Sequence, residues 1–211
     1  MAIDFKNLKG KADKGSFDRL KPAFGINRYR MVGDMLPMYS YWVKLADGSN
    51  SVPMECLSFN RDDERFDNKQ TDIVKQHNPE ARCSWSYKGL VLDREDGKIK
   101  VFDHKKKLLG SVIKAAEKLG DPTDVDKGWD IVVDKVKTGP KAFNVEYNLE
   151  FMDLTSSPLT EEEKALVEEH AAIETFFPRP TVEAQAKFFN EKILGNEQED
   201  VPEEMGQDDL D

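Results

Sequence analysis

Long apolar runs, cysteines and histidines are all scarce in this chain, and each scarcity closes off a class of protein. No stretch approaches the roughly 18 consecutive apolar residues that a membrane-spanning helix needs. The opening residues, MAIDFKNLKGKADKG, scatter single hydrophobes among charges and hold no apolar core of about 7 to 15 residues, so no secretory signal is expected. With only Cys56 and Cys83 in 211 residues, a disulfide scaffold is excluded, and a reducing intracellular compartment is the simpler reading. Cys56, His77, Cys83 and His104 have the right chemistry for zinc. They are separated by 21, 6 and 21 residues with no C-x2-C or H-x3-H pair, so no metal is expected from them. P-loop, G-x-S-x-G and H-E-x-x-H motifs are also missing. Asp93, Asp96 and Lys98 have the residue types of a metal-dependent nuclease, but an Asp96-Gly97 turn explains Asp96 without chemistry. The expectation is a non-enzymatic protein with no cofactor.

Charge is abundant. The chain has 31 Lys and Arg against 41 Asp and Glu, a net of −10, which as an average argues against a polyanionic partner. Its distribution reverses that argument. Residues 197–211 carry eight acids and no base, and residues 150–196 carry ten acids against four bases, leaving +4 over residues 1–149. The first 33 residues alone hold eight bases against three acids. The acidic end, with Glu203, Glu204, Asp208, Asp209 and Asp211, is too polar to pack and is expected to be disordered. It reads either as a solubilising tail or, with Met205 and Leu210 among the acids, as a peptide for a partner or a basic groove.

The length suits one domain with appendages: a basic amino-terminal arm (1–24), a core (25–155), a helical extension (156–195) and the acidic tail (196–211). Two strands are expected between Gly25 and Phe59 around an Asp47-Gly48 hairpin, and residues 60–81 read as a charged excursion with at most a short helix. A second hairpin, CSWSYKGLVLD and KIKVFD, turns at Asp96-Gly97. A helix follows from Lys105 to Leu119, with Leu108, Leu109, Val112, Ile113, Ala116 and Leu119 spaced for one face and Gly120 as its stop. A third strand pair surrounds Thr138-Gly139-Pro140. Two helices close the chain, the first opened by Thr160 and Glu163 as a capping box, the second running from Thr181 to Leu194. Short hairpin-linked strands with one inserted helix predict a mainly-β α+β fold, a Greek-key barrel of the oligonucleotide-binding (OB) type, against any other α+β domain.

Strand alternation places Lys98, Lys100 and Phe102 on one face and Ile99 and Val101 on the other. Cations beside a ring suit single-stranded nucleic acid, whose bases stack while its phosphates are neutralised. On the paired strand, Cys83, Trp85, Tyr87 and Val91 share one face and Arg82, Ser84, Ser86 and Lys88 the other; either face could be the exposed one. Arg28 with Arg30, Trp42 with Lys44, Lys135 with Lys137, and Lys141 with Phe143 repeat the basic and aromatic spacing. For each ring the alternative is a buried core position.

The basic amino-terminal segment, Met35-Leu36-Pro37, SWSYKGLVLDREDGKIKVFDHKKKLLGSVIKAAEKL, KGWDIVVDKVKTGPKAFNVEYNL and the acidic terminus together resemble the single-stranded DNA-binding (helix-destabilising) proteins of T4-type bacteriophages over about residues 26–150. The resemblance implies an OB fold, coating of single strands with self-association during phage replication, recombination and repair, and an acidic terminus that contacts replication partners in the cytoplasm of an infected bacterium. By position, the strand around Trp85 and Tyr87, the Lys98–Phe102 strand and the Lys135–Phe143 hairpin would line the DNA groove. The T4 protein's structural zinc uses a C-x2-C pair that this chain lacks, so zinc is not carried over. The basic residues of the arm, Lys6, Lys9, Lys11, Lys14, Arg19 and Lys21, are also more spread out. A rival reading is a phage protein-interaction factor that uses residues 150–211, with the barrel as scaffold.

Overall fold

The computed structural model describes residues 17–141 and 144–196. In chain order its elements are β1 (Gly25–Lys44), β2 (Ser51–Glu55), β3 (Phe59–Asn60), β4 (Arg65–Phe66), α1 (Ile73–His77), β5 (Ser84–Asp93), β6 (Ile99–Lys105), α2 (Lys106–Leu119), β7 (Ile131–Lys137) and β8 (Val145–Leu149). A 3-10 turn (Phe151–Asp153), α3 (Glu161–Glu169), α4 (Ile173–Phe176), α5 (Val182–Phe188) and a π turn (Phe189–Ile193) complete them. Two compact units result among the described residues, one of residues 17–39, 61–64, 85–141 and 144–179, the other of 40–60, 65–84 and 180–196. β1 is long enough to contribute to both.

An antiparallel sheet in the order β6-β5-β1-β7-β8 forms the first unit. Its inner face carries Tyr29, Met31, Val91, Phe102, Ile131, Val133 and Leu149, against which α2 lays Leu108, Val112 and Ala115. Ile113 and Leu119, expected on that buried stripe, are 54% and 42% exposed. A 14-residue helix with a 3.6-residue period shows the sheet only the stripe around 108, 112 and 115, and Ile113 lies about 100° around from Val112. On the opposite face, Val32, Leu36, Leu90, Leu92 and Val101 are covered by Leu159, Ile173, Phe176 and Phe177. The α3–α4 segment therefore makes this antiparallel sheet two-sided, and its strands need apolar residues at consecutive positions.

The expected Greek-key barrel does not close. Closure would require β6, at one end of the sheet, to pair with β8 at the other, and no such pairing exists among the described residues. The open edge of β6 is taken at Val101 by residues 18–20: Leu20 N–H donates to the Val101 carbonyl at 2.9 Å and Val101 N–H to the Asp18 carbonyl at 2.8 Å.

Local signals explain the element ends. Gly97 has φ +69° in the β5–β6 turn, where Asp96 accepts from the Lys98 N–H at 3.1 Å. Thr160 and Glu163 form the reciprocal capping box of α3, at 2.9 and 3.2 Å. Thr181 caps α5 through the Ala184 N–H at 3.1 Å.

In the second unit, the end of β1 pairs with β2, and β3 with β4, whose Arg65 and Phe66 lie inside the stretch expected to hold at most a short helix. Tyr41, Met54, Leu57, Phe59, Ile73, Val74 and Phe189 are buried there. Gln185 of α5 donates to the Glu55 carbonyl at 2.7 Å, and His77 stacks on Phe189 with centroids 4.6 Å apart.

Candidate nucleic-acid interface

The turn that leads into β1 is held by one side chain. Asn27 Oδ1 accepts from the Ala23 N–H at 2.8 Å, and its Nδ2 donates to the carbonyls of Ala23 and Gly25 at 2.9 and 2.7 Å. Gly25, at φ +94°, supplies the left-handed backbone that the turn requires. Phe24 stands at the apex, 62% exposed. Lys135 is the β7 partner of Gly25, and its ammonium donates to the Pro22 carbonyl at 2.7 Å. That places Lys135 Nζ 4.8 Å from the Phe24 ring centroid and 5.8 Å from that of Tyr147, its partner on β8. Burial raises the Tyr147 phenol, keeping it neutral. A cation flanked by two rings, one of them rigidly displayed, offers a stacking surface beside a phosphate contact.

Other bases and rings extend this surface within the first unit. Lys137, two residues past Lys135 and so on the same face of β7, is exposed, as is Lys141 in the following connection. Ile26 and Arg28, two apart on β1 and both exposed, line a cleft of about 420 Å³ with Lys21. Asp93, Arg94 and Glu95 line the same cleft, and neither Arg28 nor Lys21 forms an ion pair with a carboxylate among the described residues. At the start of β5, Trp85 and Tyr87 pack edge to face at 4.9 Å, both half-buried. The Tyr87 hydroxyl donates to Glu64; desolvation and that carboxylate raise its pKa. Lys98 is exposed at the β5–β6 turn.

In the second unit, Trp42 is 63% exposed, opposite Pro53. Lys44, two residues on, and Arg82 are exposed.

Four of the residues assigned from the sequence to a DNA face are used internally. Arg30 is fully buried, donating to the carbonyls of Ser157 and Asp124 at 2.7 and 2.6 Å beside Asp130. Desolvation lowers its pKa against the pull of Asp130. Phe102 is buried on the inner face, 5.1 Å from the Tyr29 ring, so the proposed Lys98, Lys100 and Phe102 surface does not exist. Lys100 is paired with Asp93 at 2.6 Å and Asp96 at 2.8 Å. Lys88 pairs with Asp103 at 2.5 Å beneath the Phe177 ring, and desolvation lowers its pKa. The faces were misjudged because both sides of the sheet are covered: Phe102 lies on the side packed by α2, and Lys88 on the side reached by Phe177 at the end of α4. Phe143, the arm up to residue 16 and the tail residues Glu203, Glu204, Asp208, Asp209 and Asp211 lie outside the described residues.

Phe24 and Tyr147 were missed. The signal for Phe24 was present in Pro22-Ala23-Phe24-Gly25-Ile26-Asn27, a Gly and Asn turn with a ring at its tip. The four metal-ligand candidates occupy separate settings. His104 lies in the core of the first unit, while Cys56 is hydrogen-bonded within the second.

A curated relative is similar to this chain over most of its length. It comes from a bacteriophage. The chain is 28% identical over 234 aligned positions, covering 93% of its own length and 90% of the relative's, to the "Probable ssDNA-binding protein" of Escherichia phage T5. The phage T5 relative agrees in functional class with the resemblance drawn from the sequence, and says nothing about the narrower T4-type family. No protein-family model matches the chain, and no solved structure matches it.

Proposed function

We propose that this chain binds single-stranded DNA, largely without regard to sequence, and performs no chemistry on it. The observation that carries the reading is the Phe24, Lys135 and Tyr147 cluster on its Asn27-pinned turn, with Lys21, Arg28 and Lys137 as phosphate contacts. The phage T5 relative, named for the same activity, supports it. We read the β6-β5-β1-β7-β8 order, with α2 between β6 and β7, as an OB fold left open. In this reading the protein coats single strands during phage replication, recombination and repair in the host cytoplasm, self-associating along them. The acidic tail recruits replication proteins and competes with DNA for the basic surface.

Fluorescence titration with oligo-dT tests the proposal. Binding should be tight at low salt and weaken with a log–log slope of about −3, for four phosphate contacts. Phe24→Ala should weaken it by about 1–3 kcal/mol, the worth of one stacked base, while Phe24→Trp retains it. Absence of binding at low salt, or wild-type affinity in both Phe24→Ala and Lys135→Ala, would overturn the assignment.

A further inference from the structure

The second unit has a cavity of about 660 Å³ whose chemistry is unlike that of the interface above. Its floor is the carboxylate of Asp72, which accepts from the Tyr41 hydroxyl at 2.8 Å, the Cys56 thiol at 3.1 Å, the Ser58 hydroxyl at 3.3 Å and the Lys75 N–H at 3.0 Å. Four donors consume that charge, so the cavity has no open carboxylate at its floor with which to hold a cation.

One wall is Phe66, 46% exposed and packed edge-on against Phe59 with centroids 5.4 Å apart. The chain after it is fixed: Asp67 and Asn68 N–H both donate to the Ser58 carbonyl at 3.1 and 3.2 Å. The Asp67 carboxylate accepts from Asn60 Nδ2 and the Lys69 N–H at 3.1 and 3.0 Å. Asn68 has φ +53°, a left-handed turn conformation that asparagine tolerates. Its amide and those of Gln70 and Gln76 all border the cavity. None of these three side-chain amides makes a hydrogen bond to protein among the described residues, and all three side chains are exposed. Lys75 adds a positive charge at the rim, its ammonium steadied by the Pro79 carbonyl at 2.9 Å.

An aromatic face, three amides that can each donate and accept, and a cation fit a nucleotide: the ring stacks, the amides match a base edge and the ammonium meets a phosphate. The volume falls within the range of small-ligand pockets, about 300–1,000 Å³. We propose that this pocket is a second single-strand subsite, which takes one nucleotide by stacking its base on Phe66 and reading the base edge with Asn68, Gln70 and Gln76. The inference rests on the single-strand reading above and adds to it a base preference that stacking and charge alone do not give.

Cys83 borders the cavity and is half-buried, whereas Cys56 is buried and its thiol is pushed up to about 11 by desolvation. At pH 8, alkylation of the full chain by iodoacetamide therefore reports on Cys83 alone. With saturating dT8, dA8, dC8 or a dG-containing octamer, the Cys83 rate should fall at least fivefold for the preferred base, with a spread of threefold or more among the four. Phe24→Ala should keep that protection once saturated. Phe66→Leu, which preserves apolar packing on Phe59 but removes the ring face, should abolish it, and Gln76→Ala, on a solvent-facing helix position, should flatten the base preference. Octamers that shift the protein's fluorescence but leave Cys83 reacting at its free rate would overturn this subsite while sparing single-strand binding. Protection that survives Phe66→Leu would overturn it equally. Octamers that produce no fluorescence shift at all would overturn both.

Discussion

His104 is fully buried beside Gly89, with rings of Phe102 and Tyr29 at 4.8 and 5.9 Å and the backbone of Phe102 and Tyr87 as its polar surroundings. Desolvation pushes its pKa down to about 4, against the nearby Asp103 charge that pulls the other way. The folded protein thus keeps the ring neutral at a pH where the unfolded chain, titrating near 6.5, has begun to take up a proton. Stability from this residue is complete above about pH 6.5 and is lost as pH falls toward 4, on the order of 3 kcal/mol in all. Urea melts of the parent and of His104→Phe, compared from pH 7 to 4.5, should converge or cross as the parent loses this increment; parallel losses would show that His104 does not titrate between the states. Residue identity alone did not distinguish Arg28 from Arg30, or Lys98 from Lys100. Arg28 and Arg30 lie two apart on β1, and Lys98 sits in the turn two residues before Lys100 of β6; carboxylates and carbonyls brought in from positions 93, 96, 124, 130 and 157 divide each pair.

Among elements, the hairpins, α2 and the α3 capping box were legible because turn residues, periodicity and caps act within a few positions. Both faces of β5 and β6 were not, since each is covered by a different segment: α2 packs on the face of Val91 and Phe102, and residues from Leu159 to Phe177 on the face of Leu90, Leu92 and Val101. Ile173 of α4 is 2% exposed against the outer face of the sheet. Ile173→Ala should cost about 2–5 kcal/mol in a denaturant melt, a core-sized loss from a helix of four residues; a change below 1 kcal/mol would mean that α4 only rests on the surface. The turn before β1 makes a different claim. Asn27→Ala removes three hydrogen bonds that fix Phe24 without touching the ring itself. Oligo-dT affinity should drop severalfold with fluorescence at zero ligand unchanged, and an unaltered affinity would show that the turn needs no pinning.

At the scale of the whole chain, a net charge of −10 divides into +4 over residues 1–149 and −14 over the remainder. Deleting residues 197–211 removes eight acids and no base. If those acids compete with phosphates for the same cations, the truncated chain should bind oligo-dT several times more tightly at low salt, the advantage fading as salt screens it. Fluorescence anisotropy with a labelled oligonucleotide measures this, and equal affinities at low salt would remove the competitive role from the tail. The charge division was readable from sequence because it needs only counting. The open sheet was not, since it depends on which segment reaches the edge of β6 first.

The bridge from residues 18–20 to Val101 matters most where many copies crowd together. A bare strand edge is a template for another chain's backbone, and a protein packed side by side along a polymer meets its own copies at very high local concentration. By occupying the β6 edge at Val101 from within, the chain narrows a route to irreversible aggregation at the place where its proposed function would concentrate it.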